Sequence, residues 1–447
     1  MRTIARIIVV SAAYLGDVAP FVEPANRLVE RGHDVTYVVP PGYHQLLAGE
    51  RFALACYPLD FSSAAMHADP EHERLMRRPI LNILRLARYW LRKAYASAPD
   101  AVREALLEAF AGADAVVTHP TMAAVALPVA RRLGVPVVVG QLFPMMVPDA
   151  RWTFPVGDGL PTFRPRLNKA LWDLYSLIAG PALYDRPLNA LRRSLNQPPL
   201  RGNTLSAWMH ADRTVMLVSR HYHAVEPPAG LPVTWGGFSH WAGPGRAPLD
   251  PEVEAYLDAG DPPVLVTLGT SAATNAGSRF AAMADGLEAR GLRSLLLVGS
   301  RGNLAALAGR KGAFEFAPLA PALARCQAAV ISGSLGTVGA ALAAGVPVVV
   351  VPQIFDQVWN GERAEKLGVG VLVRRTEEVP AAVARVLADP GYAERARELA
   401  RKMAGEDGAA ALADTVESLV SCQVDREPTE SLQDPRPATG PSHEEHP

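Results

Sequence analysis

Two short runs in the second half of the chain carry residues able to hold a charged, hydroxyl-rich ligand. The first, Ser332-Gly333-Ser334-Leu335-Gly336-Thr337, joins an apolar run ending at Ile331 to an Ala-rich helix expected over Val338 to Ala344. Glycines let a ligand approach the backbone closely. A helix N-terminus adds unpaired N–H groups and the positive end of the dipole, so this turn suits an anion such as a diphosphate. The second run supplies Asp356 and Gln357, groups that fix sugar hydroxyls by paired hydrogen bonds. An anion-binding turn beside a hydroxyl reader points to a nucleotide sugar.

The elements around these runs must bring them together. From Ala328 to Gly370 the pattern reads strand, Gly-rich turn, helix, strand, acidic-amide loop and helix, as in a parallel sheet wound by helices. Ligands of such sheets bind beyond the carboxyl ends of the strands, which places both runs on one crevice. The first half opens on the same plan: strand Ile4 to Ser11, loop Ala12 to Pro20, helix Phe21 to Arg31, strand Asp34 to Val39. Pro24 fits that helix only in its first turn, where the missing N–H has no intrahelical partner. No G-x-G-x-x-G follows the first strand, which argues against a dinucleotide-dependent dehydrogenase. The expected architecture is α/β, with two Rossmann-like parallel-sheet domains facing a cleft. Residues 1–225 are expected to form the first domain, 226–250 a Pro- and Gly-rich linker, 251–420 the second domain with its last helix returning to the first, and 421–447 a disordered tail.

Composition narrows the partners. Lys plus Arg number 44 against 45 Asp plus Glu, so no electrostatic footprint for nucleic acid exists. The three cysteines, Cys56, Cys326 and Cys422, give neither a disulfide framework nor a metal-ligand spacing, and a reducing cytoplasm fits them. The apolar start reads as a buried strand rather than a leader, and no stretch is long and apolar enough for a membrane span, although peripheral contact stays open. His67 and His72 fall in a polar stretch before an amphipathic helix and read as solvated loop histidines rather than metal ligands.

The second-half pattern resembles the donor signature of GT-B glycosyltransferases, the class including antibiotic, sterol and rhamnolipid glycosyltransferases. Gly333, Gly336, Thr337, Ala344-Gly345-Val346-Pro347, Asp356-Gln357, Asn360 and Arg363 keep the motif, whereas Ile331 and Ser332 stand where the family places one or two histidines on the donor phosphates. The resemblance implies a GT-B fold and an inverting, metal-independent transfer from a UDP- or dTDP-sugar to a hydroxyl of a lipophilic acceptor. No cofactor beyond the nucleotide-sugar co-substrate is implied, and the lack of an Asp-x-Asp motif agrees with metal independence. Ser332, Gly333, Ser334, Gly336, Thr337, Asp356, Gln357 and Asn360 would hold the donor. Thr270 and Ser271, in a similar small-residue loop, would join them, and the backbone around Ala317 would read the pyrimidine.

Gly16-Asp17-Val18-Ala19-Pro20 resembles a segment of the same superfamily whose Asp is the proposed base, which makes Asp17 the candidate to deprotonate the acceptor. The other reading of Asp17 is a helix cap. In several branches an Asp at the later strand end supports a catalytic His; here that strand end carries His119, suggesting a reversed Asp17–His119 pair, while the other reading of His119 is a backbone hydrogen bond at the strand end. Trp90 on the acceptor-facing insertion, with Phe143, Met146 and Trp152 from an aromatic and Met-rich stretch, are candidates to line the acceptor pocket, although such a series also reads as ordinary core. Two alternatives stand beside a transferase: a non-catalytic relative partnering an active enzyme, suggested by Ile331 and Ser332, and a sugar-nucleotide epimerase.

Overall fold

The structure, a computed structural model, describes residues 4–424 except 12–13, 77, 79–81, 148–169, 171–173, 175–176, 178–184, 201–203, 228–229, 242, 244–247, 270–275, 308 and 354. The expected disordered tail is corrected at its start, since residues 421–424 end the helix Gly408–Val424, and its remainder lies outside the described residues. Two wholly parallel sheets organise the chain. The first contains β1 (Arg6–Val10), β2 (Asp34–Val39), β3 (Ala53–Cys56), β4 (Ala115–Thr118), β5 (Val137–Gln141), β6 (Arg213–Met216) and β7 (Val233–Trp235), in the order β3-β2-β1-β4-β5-β6-β7. The second contains β8 (Val264–Thr267), β9 (Ser294–Leu297), β10 (Ala313–Phe314), β11 (Ala328–Ile331), β12 (Val348–Val350) and β13 (Gly370–Leu372), in the order β10-β9-β8-β11-β12-β13. The central strands are apolar on both faces because helices cover both, as in RIIVV of β1 and AAVI of β11.

Each sheet reverses its strand order once, between β1 and β4 in the first and between β8 and β11 in the second. These switch points open crevices at the strands' carboxyl ends, where open α/β sheets take their ligands. β7 is a correction to the expected linker: Val233–Trp235 pairs with β6 and completes the first sheet.

A second correction concerns the first helix. It runs Leu15–Glu30, not Phe21 to Arg31, and includes both Pro20 and Pro24. Pro24 has no N–H for the carbonyl of Pro20 four residues back, a loss that would ordinarily break a helix. Ser239, far along the chain, answers it: its hydroxyl donates to Pro20 O at 2.7 Å in a buried setting. Ser239→Ala should leave that carbonyl unsatisfied and lower stability by about 1–3 kcal/mol, measurable by denaturant unfolding.

The helix Gly408–Val424 returns to the first domain. Leu412, Ala413, Val416 and Val420 share a core with Ile7, Val9, Phe21 and Val22. At its surface Arg31 Nη1 contacts Asp414 at 2.6 Å and Glu417 at 2.7 Å, while Arg27 meets Asp407 at 2.9 Å. The chain's end therefore fastens the helix that follows β1.

Candidate active site

β1 and β4 pair in register, Val10 against Thr118, so their exits run side by side. His119 leaves β4 with its N–H on Val10 O at 3.1 Å. Asp17 sits in the first turn of Leu15–Glu30, where its Oδ2 accepts the Tyr14 N–H at 3.3 Å. That bond fulfils the capping reading of Asp17, but it uses one oxygen. The other, Oδ1, lies 3.4 Å from His119 Nε2.

The proton on His119 can be placed by its partners. The Thr121 N–H donates to Nδ1 at 3.2 Å, so Nδ1 is bare and Nε2 carries the hydrogen toward Asp17. The Nε2 contact falls outside hydrogen-bond geometry, as catalytic bonds often do in a ligand-free protein. Phe21 and Phe143 meet the imidazole at ring distances of 6.0 and 5.5 Å and wall it from water. His119 is buried, while Asp17 keeps 19% of its side chain exposed to the cleft.

The second switch point holds the Gly-rich turn. The helix beyond it begins at Leu335 rather than Val338, with Ser334 as its N-cap, so Gly336 and Thr337 lie in the first turn. First-turn N–H groups have no intrahelical acceptor, which leaves this end ready for an anion. The Thr337 hydroxyl donates to Ser334 O at 2.9 Å, so in its 3.0 Å contact with Ser334 Oγ the serine is the donor. A methyl added at Gly336 would meet nothing within 4 Å, so space is open in front of it. Ser332 is buried and its Oγ has no hydrogen-bond partner among the described residues. Gly269, leaving β8, stands beside it; a Cβ there would lie 3.4 Å from Ser332 Oγ.

Asp356 lies in the first turn of the helix Phe355–Leu367, after β12. Burial, and then the negative charge of Asp17, push its carboxyl up to about 7, against the pull of the Asp356 and Gln357 backbone N–H groups. Gln357 and Asn360, both expected at the donor, brace the loop with their side chains. Gln357 is buried with Oε1 on the Gln353 N–H at 2.7 Å, and Asn360 is buried with its Nδ2 on Gly333 O at 2.8 Å. Thr270 and Ser271 lie outside the described residues, and Ala317 is buried beside the exposed Phe316.

On the acceptor side Phe143 touches the His119 ring and Met146 is buried. Trp152 lies outside the described residues. Trp90 packs with Tyr14 against a small cluster of Met66, Leu75, Leu86 and Tyr89. His72 belongs to that region and corrects the solvated reading. It is buried on the helix Pro70–Met76, 2.8 Å from the Tyr14 hydroxyl, and burial pushes its imidazole down to about 4. Among the described residues no group of three or more His, Cys, Asp or Glu is placed to hold a metal ion, and no helix is long and apolar enough to cross a membrane.

Comparison with known proteins supplies the family. Residues 296–419 match the model of the "Erythromycin biosynthesis protein CIII-like, C-terminal domain". Glycosyltransferase GtfE of Amycolatopsis orientalis is 32% identical over 425 residues, covering 92% of this chain and 96% of the relative. The chain belongs to the natural-product GT-B glycosyltransferases. Vancomycin aglycone glucosyltransferase of the same organism is 29% identical to this glycosyltransferase over 378 residues, 82% of the chain and 85% of that protein. The fold matches the solved SnogD glycosyltransferase of Streptomyces nogalater with a TM-score of 0.64 at 19% identity, covering 93% of this chain and 99% of that one.

Proposed function

We propose that this glycosyltransferase moves a sugar, with inversion, from a UDP- or dTDP-activated donor to a hydroxyl of a lipophilic natural-product acceptor. The observation that carries the reading is the Asp17 carboxylate 3.4 Å from His119 Nε2 at one switch point, with the helix start after Ser334 at the other. Asp17 takes the proton of the acceptor hydroxyl as its oxygen attacks the anomeric carbon. The sugar–phosphate C–O bond breaks, and its electron pair leaves with the diphosphate. His119 aims its Nε2–H at Asp17 from 3.4 Å and orients it, while the N–H groups of Leu335, Gly336 and Thr337 stabilise the departing charge without a metal. Asp356 accepts hydrogen bonds from sugar hydroxyls.

The Ser332 hydroxyl, buried and unpartnered, supports a phosphate contact where relatives of this class carry histidine. The names of the relatives, an aglycone glucosyltransferase among them, support a bulky acceptor. The test is a mass-spectrometric screen of UDP- and dTDP-sugars against apolar aglycones, followed by NMR of the product's anomeric proton. An α-linked donor should give a β-linked product. Retention, or donor hydrolysis alone, would contradict the reading.

Asp356 gives a pH signature. With its carboxyl at about 7 in the free protein, it is neutral below that pH and ionised above it. Donor binding that uses the carboxylate as acceptor should strengthen as pH rises through about 7. Calorimetric titration of nucleotide sugar between pH 5.5 and 8.5 should show that inflection, Asp356→Asn should remove it, and Asp17→Asn should move it lower by deleting a neighbouring negative charge.

A further inference from the structure

Gly333 is held from behind by a buried chain of hydrogen bonds that begins in the other domain. Asn360, on the helix Phe355–Leu367, faces the carbonyl of Gly333 at 2.8 Å. A carbonyl only accepts, so the amide nitrogen of Asn360 must be on that side and its Oδ1 on the other. Oδ1 in turn stands 3.0 Å from His223 Nε2. An amide oxygen also only accepts, which puts the imidazole proton on Nε2 and leaves Nδ1 bare, and Nδ1 has no partner. Burial pushes His223 down to about 3, so the ring stays neutral and the relay keeps one direction, histidine to asparagine to glycine.

The surrounding contacts leave this histidine little freedom. Its ring lies flat on Trp359, 4.1 Å between centroids and 5° between planes. The neighbouring Tyr222 hydroxyl donates to Asn360 O at 2.5 Å, and Arg363 Nε donates to Tyr222 O. Tyr222 and His223 lie between β6 and β7 of the first sheet, so a loop of the acceptor domain grips the helix behind the donor turn.

The consequence follows from peptide geometry. In a trans peptide the C=O of one residue and the N–H of the next point oppositely. Turning Gly333 O back onto Asn360 sends the Ser334 N–H the other way, toward the open helix start, and that N–H has no partner among the described residues. We infer that His223 is a positioning residue for the donor diphosphate: through Asn360 it fixes the Gly333–Ser334 peptide so that the Ser334 N–H joins the anion-binding group. This rests on the reading above that the turn takes a diphosphate.

The test is calorimetric titration of the full chain with UDP and dTDP. His223→Phe keeps a ring on Trp359 but has no donor for Asn360; His223→Gln keeps an amide N–H that reaches it. Wild type should bind one nucleotide, His223→Phe should bind it about tenfold more weakly, and His223→Gln should stay within about twofold of wild type. Thermal melting is measured alongside. If His223→Phe does not fold, His223→Asn, whose amide stops short of Asn360, carries the same comparison. Unchanged affinity in the donor-less variant, with or without a lower Tm, would overturn the inference by leaving His223 a purely structural role. Failure of wild type to bind either nucleotide would instead overturn the diphosphate reading itself, and the inference with it.

Discussion

Asp17→Asn is expected to lower kcat by about a thousandfold while leaving nucleotide affinity within about twofold, the pattern of a lost general base. Asparagine keeps the carboxylate's shape, and its oxygen can still accept the Tyr14 N–H, so the start of the helix Leu15–Glu30 should stand. The amide cannot take a proton at neutral pH, and its NH₂ would meet the Nε2–H of His119 as one donor facing another. His119→Ala should cost less, about tenfold to a hundredfold in kcat, because it removes the group that orients the base and leaves the base in place. Single-turnover kinetics beside nucleotide titration separates these effects. A variant Asp17→Asn that turns over within tenfold of wild type would place the base elsewhere.

Gly333→Ala should reduce nucleotide affinity by more than about a hundredfold, because two independent constraints meet at this residue. Its φ is +91°, a region that L side chains rarely adopt, and a Cβ would fall 2.6 Å from Val350 Cγ1 and 2.8 Å from Gln357 O. The backbone must therefore move, and with it the carbonyl held by Asn360 and the amides that follow. Gly336→Ala makes the informative contrast. No described residue opposes a methyl there, and alanine favours a helix, so its Tm should hold or rise. Its affinity should still fall, since the space in front of Gly336 is where the diphosphate lies. Loss of binding without loss of stability at 336, against loss of both at 333, separates contact with ligand from integrity of the turn.

The donor half was legible because its signals are local. Gly-rich turn, Ala-rich helix and Ala-Gly-Val-Pro recur at fixed spacing, and β11, β12 and the helices after them appear in that order. Gly336 and Thr337 looked like loop because they are weak helix formers, yet the first turn tolerates them where no intrahelical N–H bond is required. What escaped the sequence depends on distant partners. Pro24 reads as tolerable only in a first turn, and the distant Ser239 hydroxyl on Pro20 O answers the N–H that Pro24 lacks inside the helix. His72 reads as a loop residue until Tyr14 and Tyr89 are packed against it. The Tyr222–His223 pair stands beside a Pro-rich run that resembles a linker, and its link to Asn360 spans most of the second domain's length in sequence. β3 and β10 are short edge strands, half-exposed and without the β-branched residues that announced the central ones. The Asp17–His119 approach was foreseeable as a pair of strand ends, but which atoms face each other required the register of β1 against β4.

The measurement closest to the central claim is calorimetric titration of the wild-type chain with UDP and with dTDP, using Gly333→Ala as the negative control and Asp17→Asn as the positive one. The account predicts saturable binding of one nucleotide diphosphate to wild type, near-equal binding to Asp17→Asn and none to Gly333→Ala. Absence of binding to either nucleotide, or binding that survives Gly333→Ala intact, would contradict the assignment of this turn to the donor diphosphate.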